Sequence, residues 1–565
     1  MTTDIPAAPS TKKMKWYWHI LAFITCLIPL CGINGLLLQD IPFLLFCCIF
    51  VGLILFPIEW AARSIRPRWM TALISIVWLL GILALVHFLV VFVIPPFSIS
   101  PQTTYLTEPR SQEFHGIDYA AYIERQLEPG IPPDENGFRL LTETFGKPLF
   151  DNIQDKHWRR LCAYLDLPTG IEPILSHTTF REYIRTLPPD EEEIIAASTG
   201  RSFSEEAIPI VKRWLDDNNA AMDLFGIVAD EPAFYIPPMF SHVLINTHLF
   251  YDDTCRKMAR DLAIRVRYRL TVGEIDAAWD DVRTIYRLAE HQRRAVWNVM
   301  SSLVNNDILG TANHAAESVL LHSDWDSDEI LLKAEEIVPF LRPFGNDEIR
   351  KCLLGERLLS LDAIRHMAGG NFYHHFANDE EQPPVRDFWD RAKGRFLRTG
   401  LIMTKINQRF DELEQQLFEG RLEEPDDEML PGIMMLLDLA FWHGKSGAIS
   451  ILIGEMLSSL LFTAIEAGWM SVQCRQADAD LLRLVFALTA YHRDNGNYPE
   501  GLDALQERYI AELPFDPFSG GWFRYILEPE GYLLYSVGPN GEDDGGRNHG
   551  DFPRGDDIRR RSADA

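Results

Sequence analysis

The sequence predicts a mainly α-helical, membrane-anchored protein with a small α+β module at its C-terminal end. Three observations carry this reading. Three long apolar stretches crowd the segment before Pro96. The middle of the chain repeats apolar residues at three- and four-residue spacing over long segments, as amphipathic helices do. From about residue 467 the pattern ends in short alternating runs punctuated by Gly, Pro and Asp, the mark of strands and turns.

The chain has 565 residues, of which 47 % are apolar, enough for several packed domains and too many for wholesale disorder. Its formal net charge of −28 excludes a nucleic-acid partner, whose phosphates need clustered Lys and Arg. The charge is unevenly placed. Lys12, Lys13, Lys15, Arg63, Arg66 and Arg68 stand against only Asp4, Asp40 and Glu59 before Pro96, so the acidity belongs to the body. No CxxC pair occurs, which removes zinc ribbons and thioredoxin-like chemistry. Cys162, Cys255, Cys352 and Cys474 are scattered through the body, open either to disulfides in an oxidising compartment or to burial as thiols.

The apolar stretches run from Trp16 to Leu38, Ile41 to Trp60 and Met70 to Pro95. Each has the roughly 20 residues a helix needs to cross a hydrocarbon core of about 30 Å. Trp16, Trp18, Trp60 and Trp69 mark their ends like an interfacial belt. No small-residue cleavage site follows the first stretch, which argues against a removed signal peptide. The basic flanks place 1–15 in the cytoplasm, 16–96 in the membrane as three transmembrane helices, and everything after Pro96 outside the cytoplasm. A fourth apolar segment, Gly447 to Met470, carries Glu455 and Glu466 and reads as a core helix instead.

Residues 97–466 form the expected helical body. After the irregular stretch SISPQTTYLTEP, which reads as an extended linker, helices are expected over Asp253–Leu270, Glu274–Gln292, Arg294–Leu321, Asp328–Pro339, Asn346–Met367 and Val385–Gly420. Gly273 ends the first of these at a tight turn into the second. Candidate chemistry in the body is thin. His374 and His375 sit near Asp379, Glu380 and Glu381, but adjacent histidines lack helical zinc-ligand spacing and fit a solvated loop. Gly444-Lys445-Ser446 resembles the end of a phosphate loop, yet Leu439 stands where that loop needs glycine. His177 with Glu182, and Glu290 with His291, are neighbours of acid–base type with no supporting motif. The segments TTYLTEP, IPPDENGFRLL, IVKRWLDDNNAAMDL, GEIDAAWDDVRTIYRLAEH and ERLLSLDAIRHMAGG resemble, in overall pattern, uncharacterised bacterial membrane-anchored proteins, a resemblance that implies no activity.

Residues 467–558 are the most specific part. A helix from Asp478 to Arg493 runs into DNGNYPEGLDAL. Then come a turn-rich ELPFDPFSGG, the strands WFRYILE and YLLYSVG, and an acidic loop with glycines at 541, 545, 546, 550 and 555. The basic residues 559–565 read as a disordered tail. The order helix–DNGxYP–helix–DPxxG–hairpin–GPxG–DDI resembles the globular part of the type II secretion major pseudopilin. The matching residues include Asn495, Gly496, Tyr498, Pro499, Asp516, Pro517, Tyr525, Tyr535, Ser536, Gly538, Asp556 and Asp557. The resemblance implies a structural calcium ion held by the loop after the last strand, at the positions of Asn540, Asp556 and Asp557. Asn540 stands where the family has aspartate, and the loop is enlarged by Glu542, Asp543, Asp544 and Asp551. The candidate ligands are therefore Asn540, Asp543, Asp544, Asp556 and Asp557, all oxygen donors of the kind calcium takes. No prepilin cleavage motif precedes the module, so assembly into a fibre is not expected.

These readings point to a non-enzymatic scaffold or interaction protein of the bacterial inner membrane, its body extracytoplasmic and its partners proteins of the cell envelope. The rivals are a hydrolase with its site in the helical body, and an accessory component of a type II secretion or pilus-like system.

Overall fold

The computed structural model describes residues 97–110, 116–368, 398–419 and 433–562, apart from 129, 151, 199, 241–242, 530 and 552–553; of the first 96 it describes only Ile76 and Gly81. The chain divides into two compact units, Met1–Asp118 with Ser360–Ser459, and Tyr119–Leu359 with Leu460–Ala565.

The second unit begins with α1 (Tyr119–Leu127), α2 (Gly137–Phe145), α3 (Asp155–Tyr164), α4 (Phe180–Ile184), α5 (Pro189–Ala197) and α6 (Ile208–Ala229). It continues with α7 (Phe250–Val272), α8 (Ile275–Arg294), α9 (Val299–His322), α10 (Ser327–Ile337) and the start of α11 (Asn346–Ala368). Helix α12 (Thr399–Glu419) lies in the first unit, and the long α13 (Ile433–Asn495) begins in the first and ends in the second. The second unit closes with β1 (Arg524–Glu528), β2 (Gly531–Ser536) and β3 (Ile558–Arg561), an antiparallel sheet in that order.

Helices α7, α8 and α9 pack on one another and make the centre of this unit. Their buried stripes are Met258, Leu262 and Val266, then Trp279, Val282 and Ile285, then Ile308, Ala312 and Val319. Each large member contributes roughly 1.5–3 kcal/mol by leaving water. The α7–α8 turn is the one expected from the sequence. Gly273 takes φ 82°, in the left-handed region, and Glu274 N–H donates to Arg269 O at 2.8 Å. A buried guanidinium locks the hairpin. Arg265 donates to both oxygens of Asp281, at 2.9 and 2.6 Å, and to Asp223 of α6 at 2.7 Å.

Several expectations change. The helix expected from Arg294 begins only at Val299. Asn298 caps it by accepting from Ser301 N–H at 2.8 Å, and Ser301 Oγ reciprocates, so the chain breaks at Ala295–Asn298. The linker before α1 is compact, not extended: Thr103 and Thr104 are buried in a turn on Ser100. Asn407 of α12 donates to the carbonyls of Gln102 and Thr103 at 3.0 and 2.9 Å, within the first unit. Residues 385–397 of another expected helix lie outside the described residues.

The fold class is corrected in one respect. Mainly α with a small three-stranded sheet holds, but no helix among the described residues is long and apolar enough to cross a membrane, against the three transmembrane helices expected. The described long helices all carry charged side chains, which are costly at bilayer depth. That includes α13, into which Gly447–Met470 is continuous. The stretch 16–96 itself lies, but for Ile76 and Gly81, outside the described residues. Finally, Ile558–Arg561 form β3 where a disordered tail was expected from residue 559.

Candidate metal centre

The C-terminal module grows out of the end of α13. Gly496 takes φ 73° and its N–H donates to His492 O at 2.8 Å, which stops the helix. Tyrosines then fasten the following segment to the sheet. Tyr525 O–H donates to Pro499 O at 2.7 Å, and the Tyr498 ring meets Tyr532 edge-on at 4.9 Å. The turn at Asp516-Pro517 is tied to the end of β2. Buried Asp516 accepts from Ser536 O–H at 2.7 Å and from Val537 N–H at 3.2 Å. Both ends of the hairpin are thus held before the acidic loop departs at Gly538.

That loop leaves β2 and returns as β3, which pairs Ser536 with Ile558. Four of its glycines, 538, 541, 545 and 546, have positive φ, so the backbone doubles back in a way other residues resist. Three carboxylates converge as a result: one oxygen each from Asp544, Asp556 and Asp557 lies within 4.8 Å of the others. Asp557 is buried and accepts from Gly546 N–H at 2.7 Å. Asp556 accepts from Asn540 N–H at 2.9 Å through Oδ2. Its Oδ1 is buried and accepts from nothing in the protein. Asp544 accepts from Asp556 N–H at 3.3 Å. Burial, with the charges of Asp544 and Asp543 in support, pushes the Asp557 carboxyl above its ordinary range despite the hydrogen bonds from Gly546 and Asp544.

Two of the five expected ligands are spent elsewhere. Asp543 accepts from Tyr535 O–H at 2.9 Å, Gly545 N–H at 3.0 Å and Arg524 at 3.2 Å. Burial opposes its charge, but these donors outweigh it and hold the carboxyl below the usual range. Asn540 Oδ1 accepts from Glu542 N–H at 2.7 Å, an Asx turn that leaves only its Nδ2 facing Asp544, at 3.5 Å. The chemistry that remains is a three-carboxylate oxygen site with one orphan acceptor, suited to a hard divalent cation.

Arg560, the third residue of β3, was missed by sequence reasoning. It reaches out of the sheet into the helices of the same unit. Its Nη1 lies 3.0 Å from Glu317 of α9, and its Nη2 donates to Asp478 of α13. Glu317 also receives Arg201 at 3.0 Å, and Asp478 receives Arg475 and Asn313, each at 2.9 Å. Burial opposes charge on Asp478, yet Arg560 and Arg475 outweigh it and hold the carboxyl below its ordinary range.

The acid–base neighbours read from the sequence do not meet. Glu182 closes a capping box with Thr179, while His177 Nε2 lies 3.0 Å from Asp261. His291 faces Ala229 O at 3.1 Å, and Glu290 pairs with Arg294 at 3.2 Å. Gly444-Lys445-Ser446 lies inside α13, not on a phosphate-binding turn. His374, His375, Asp379, Glu380 and Glu381 lie outside the described residues. The body does hold a perturbed acid. Burial pushes Asp252 up to about 6, with Gln292 Nε2 donating to it at 2.5 Å. Burial also pushes the nearby Cys255 thiol well up, the opposite of what an attacking thiolate requires.

Comparison with known protein families, with curated proteins and with solved structures finds no match for this chain.

Proposed function

We propose that the chain is a non-enzymatic scaffold or interaction protein of the extracytoplasmic space, whose C-terminal module takes a structural calcium ion at Asp544, Asp556 and Asp557. One observation carries the site. Three carboxylate oxygens sit within 4.8 Å of one another, and the neighbouring Asp556 Oδ1 is buried with no donor from the protein. Like charges held that close are costly unless a cation shares them. A divalent ion would neutralise them, and the three carboxylates plus loop carbonyls and water would supply its oxygen ligands. An extracytoplasmic setting suits this, since modules there need affinities of only about 10⁻⁴–10⁻³ M. A structural role for the ion is supported by where the site lies: it pins the loop that leads into β3, and β3 carries the arginine planted in the helices.

The test is thermal unfolding of the purified full-length protein in calcium and in chelator. At ten times Kd, an ion bound only by the folded state stabilises by about 1.4 kcal/mol. In a unit this large, at roughly 1–2 °C per kcal/mol, Tm should rise by about 1–3 °C. Asp557→Asn and Asp556→Asn should each remove that rise. An unchanged Tm in wild type, together with no binding in equilibrium dialysis against radioactive calcium, would sink the site.

A further inference from the structure

A second site lies in the helical part of the same unit, remote in chain from the acidic loop. A cavity of about 370 Å³ opens between α7 and α9, with the turn at Gly200-Arg201 and Arg475 of α13 completing its wall. That volume is at the small end for ligand sites. Its floor is apolar, from Ala263, Val266, Leu270 and Ala315. Its charged lining is mostly basic, although the chain as a whole carries −28. Asp307, the one acidic lining residue, is already paired with Arg260 at 2.7 Å.

The decisive residue is Arg267. It makes no ion pair among the described residues. Its Nη2 donates to the carbonyls of Ser198 and Ser202, and its guanidinium stacks over the Phe203 ring at 3.9 Å. Two carbonyls and a ring face orient the cation without neutralising it. Burial, with nothing to oppose it, lowers its hold on the proton. An oriented, unneutralised guanidinium in a cavity wall lacks one thing, an anion. Arg475 lines the same wall, its charge already shared with Asp478 at 2.9 Å. Its guanidinium lies flat against the backbone at Gly310, where a Cβ would stand 2.5 Å from Nη1. The close approach brings the charge to the cavity wall, and any larger residue at 310 would push it away.

We propose that this cavity binds a compact organic anion, an apolar body of about ten heavy atoms bearing a carboxylate or phosphate that pairs with Arg267. Charge is supplied by Arg267, since Arg201 and Arg475 are already paired with Glu317 and Asp478, and affinity for the body comes from the alanine, valine and leucine floor. The hydroxyls of Thr311 and Ser318 do not compete for the anion, because each already donates to a backbone carbonyl of its own helix, at 2.9 and 2.8 Å.

The test is isothermal titration of the purified full-length protein with three probes of one shape: benzoate, phenyl phosphate and the uncharged benzyl alcohol. Benzoate or phenyl phosphate should bind at least about tenfold more tightly than the alcohol, and more weakly as salt rises. Which anion binds better distinguishes a carboxylate from a phosphate ligand. Arg267→Gln should weaken the anions by at least about tenfold and leave the alcohol unchanged. Ala263→Leu, which keeps every charge and fills the floor, should weaken all three probes and guards against an Arg267→Gln protein that fails to fold. Arg213→Gln, on the exposed side of α6 and outside the cavity lining, should leave binding intact. The proposal is overturned if no anion binds below about 10 mM, if the alcohol binds as well as the anions, or if both cavity variants bind like wild type.

Discussion

Arg560→Met tests whether the sheet is locked to the helices by charge. Arg560 is buried between Glu317 and Asp478, with its side chain 15 % exposed and theirs 3 % and 13 %. Methionine keeps most of the volume and removes the cation. Two carboxylates then lose a partner, but Glu317 keeps Arg201 and Asp478 keeps Arg475, so the loss should sit at the low end of what an uncompensated buried charge costs, about 3 kcal/mol. At roughly 1–2 °C per kcal/mol in a unit this large, Tm should fall by about 3–6 °C. Arg561→Met, the neighbour on the other face of β3, is the control and should cost less than about 1 kcal/mol. A pH arm separates charge from packing. In wild type, Asp478 is held below its ordinary pKa, so it contributes stability above about pH 4 that is lost as pH falls through its folded value. In Arg560→Met, Asp478 keeps Arg475 and Asn313 but loses the larger of its two charge partners, so its ionisation is less favoured and acid should relieve part of the defect. The gap between the two proteins should therefore narrow from pH 7 to pH 4 in differential scanning calorimetry. A gap that stays constant with pH, or a loss no larger than for Arg561→Met, would refute the lock.

Two further outcomes follow from buried polar groups in the helices, and one from the loop. Burial raises Asp252 to about 6, so its contribution is fully present below about pH 4 and is lost as pH rises through 6. Asp252→Asn should therefore gain on wild type by roughly 2–3 kcal/mol between pH 4 and pH 8 in urea titrations, and a pH-independent difference would exclude the shift. Asn136 caps α2 through Phe138 N–H at 3.1 Å and also bridges Tyr235, accepting from its N–H at 3.0 Å and donating to its carbonyl at 2.7 Å. Asn136→Ala should cost about 2–4 kcal/mol, more than the ~1 kcal/mol of an ordinary cap, because it strands a buried backbone pair. In chelator the raised Asp557 should make the protein lose stability as pH climbs above about 4, and Asp557→Asn should flatten that slope; equal slopes would argue against burial of the charge.

The helical centre was legible because periodicity and punctuation agree there. Met258, Leu262 and Val266 recur on one face, and Gly273 falls where the turn needs a left-handed residue. The α9 start was misjudged because its apolar run extends back past Arg294, while one Asn298–Ser301 capping box decides the boundary. In the candidate metal centre, Asp556 and Asp557 were expected from the resemblance to the pseudopilin loop, and Asp544 from the density of acids among its glycines. Asn540 and Asp543 looked equivalent in sequence. Only the folded loop shows that Glu542 N–H, Tyr535 and Arg524 have taken their oxygens. Arg560 was illegible for a plainer reason. A run of three arginines near the end of a chain resembles any solvated tail, and its partners lie 82 and 243 positions away in sequence. The run does alternate within β3, pairing Arg559 with Tyr535 and Arg561 with Leu533, and that strand period was the signal available.

The carboxylate cluster and the arginine lock share one strand, and their magnitudes rank them. Asp557 directly precedes β3, and Arg560 is its third residue. Closing the loop at Asp544, Asp556 and Asp557 therefore fixes the entry of the strand that delivers Arg560 to Glu317 and Asp478. Ion binding at ten times Kd contributes about 1.4 kcal/mol, whereas breaking the lock costs about 3 kcal/mol. Chelation should then loosen the loop and leave the sheet docked, while loss of Arg560 should undock the strand whether or not calcium is present. Linkage makes the dependence mutual: whatever docking contributes to calcium affinity, calcium returns to docking by the same factor. A cation at this loop would act as a trim on an interface set by buried arginine, not as the element that holds the module together.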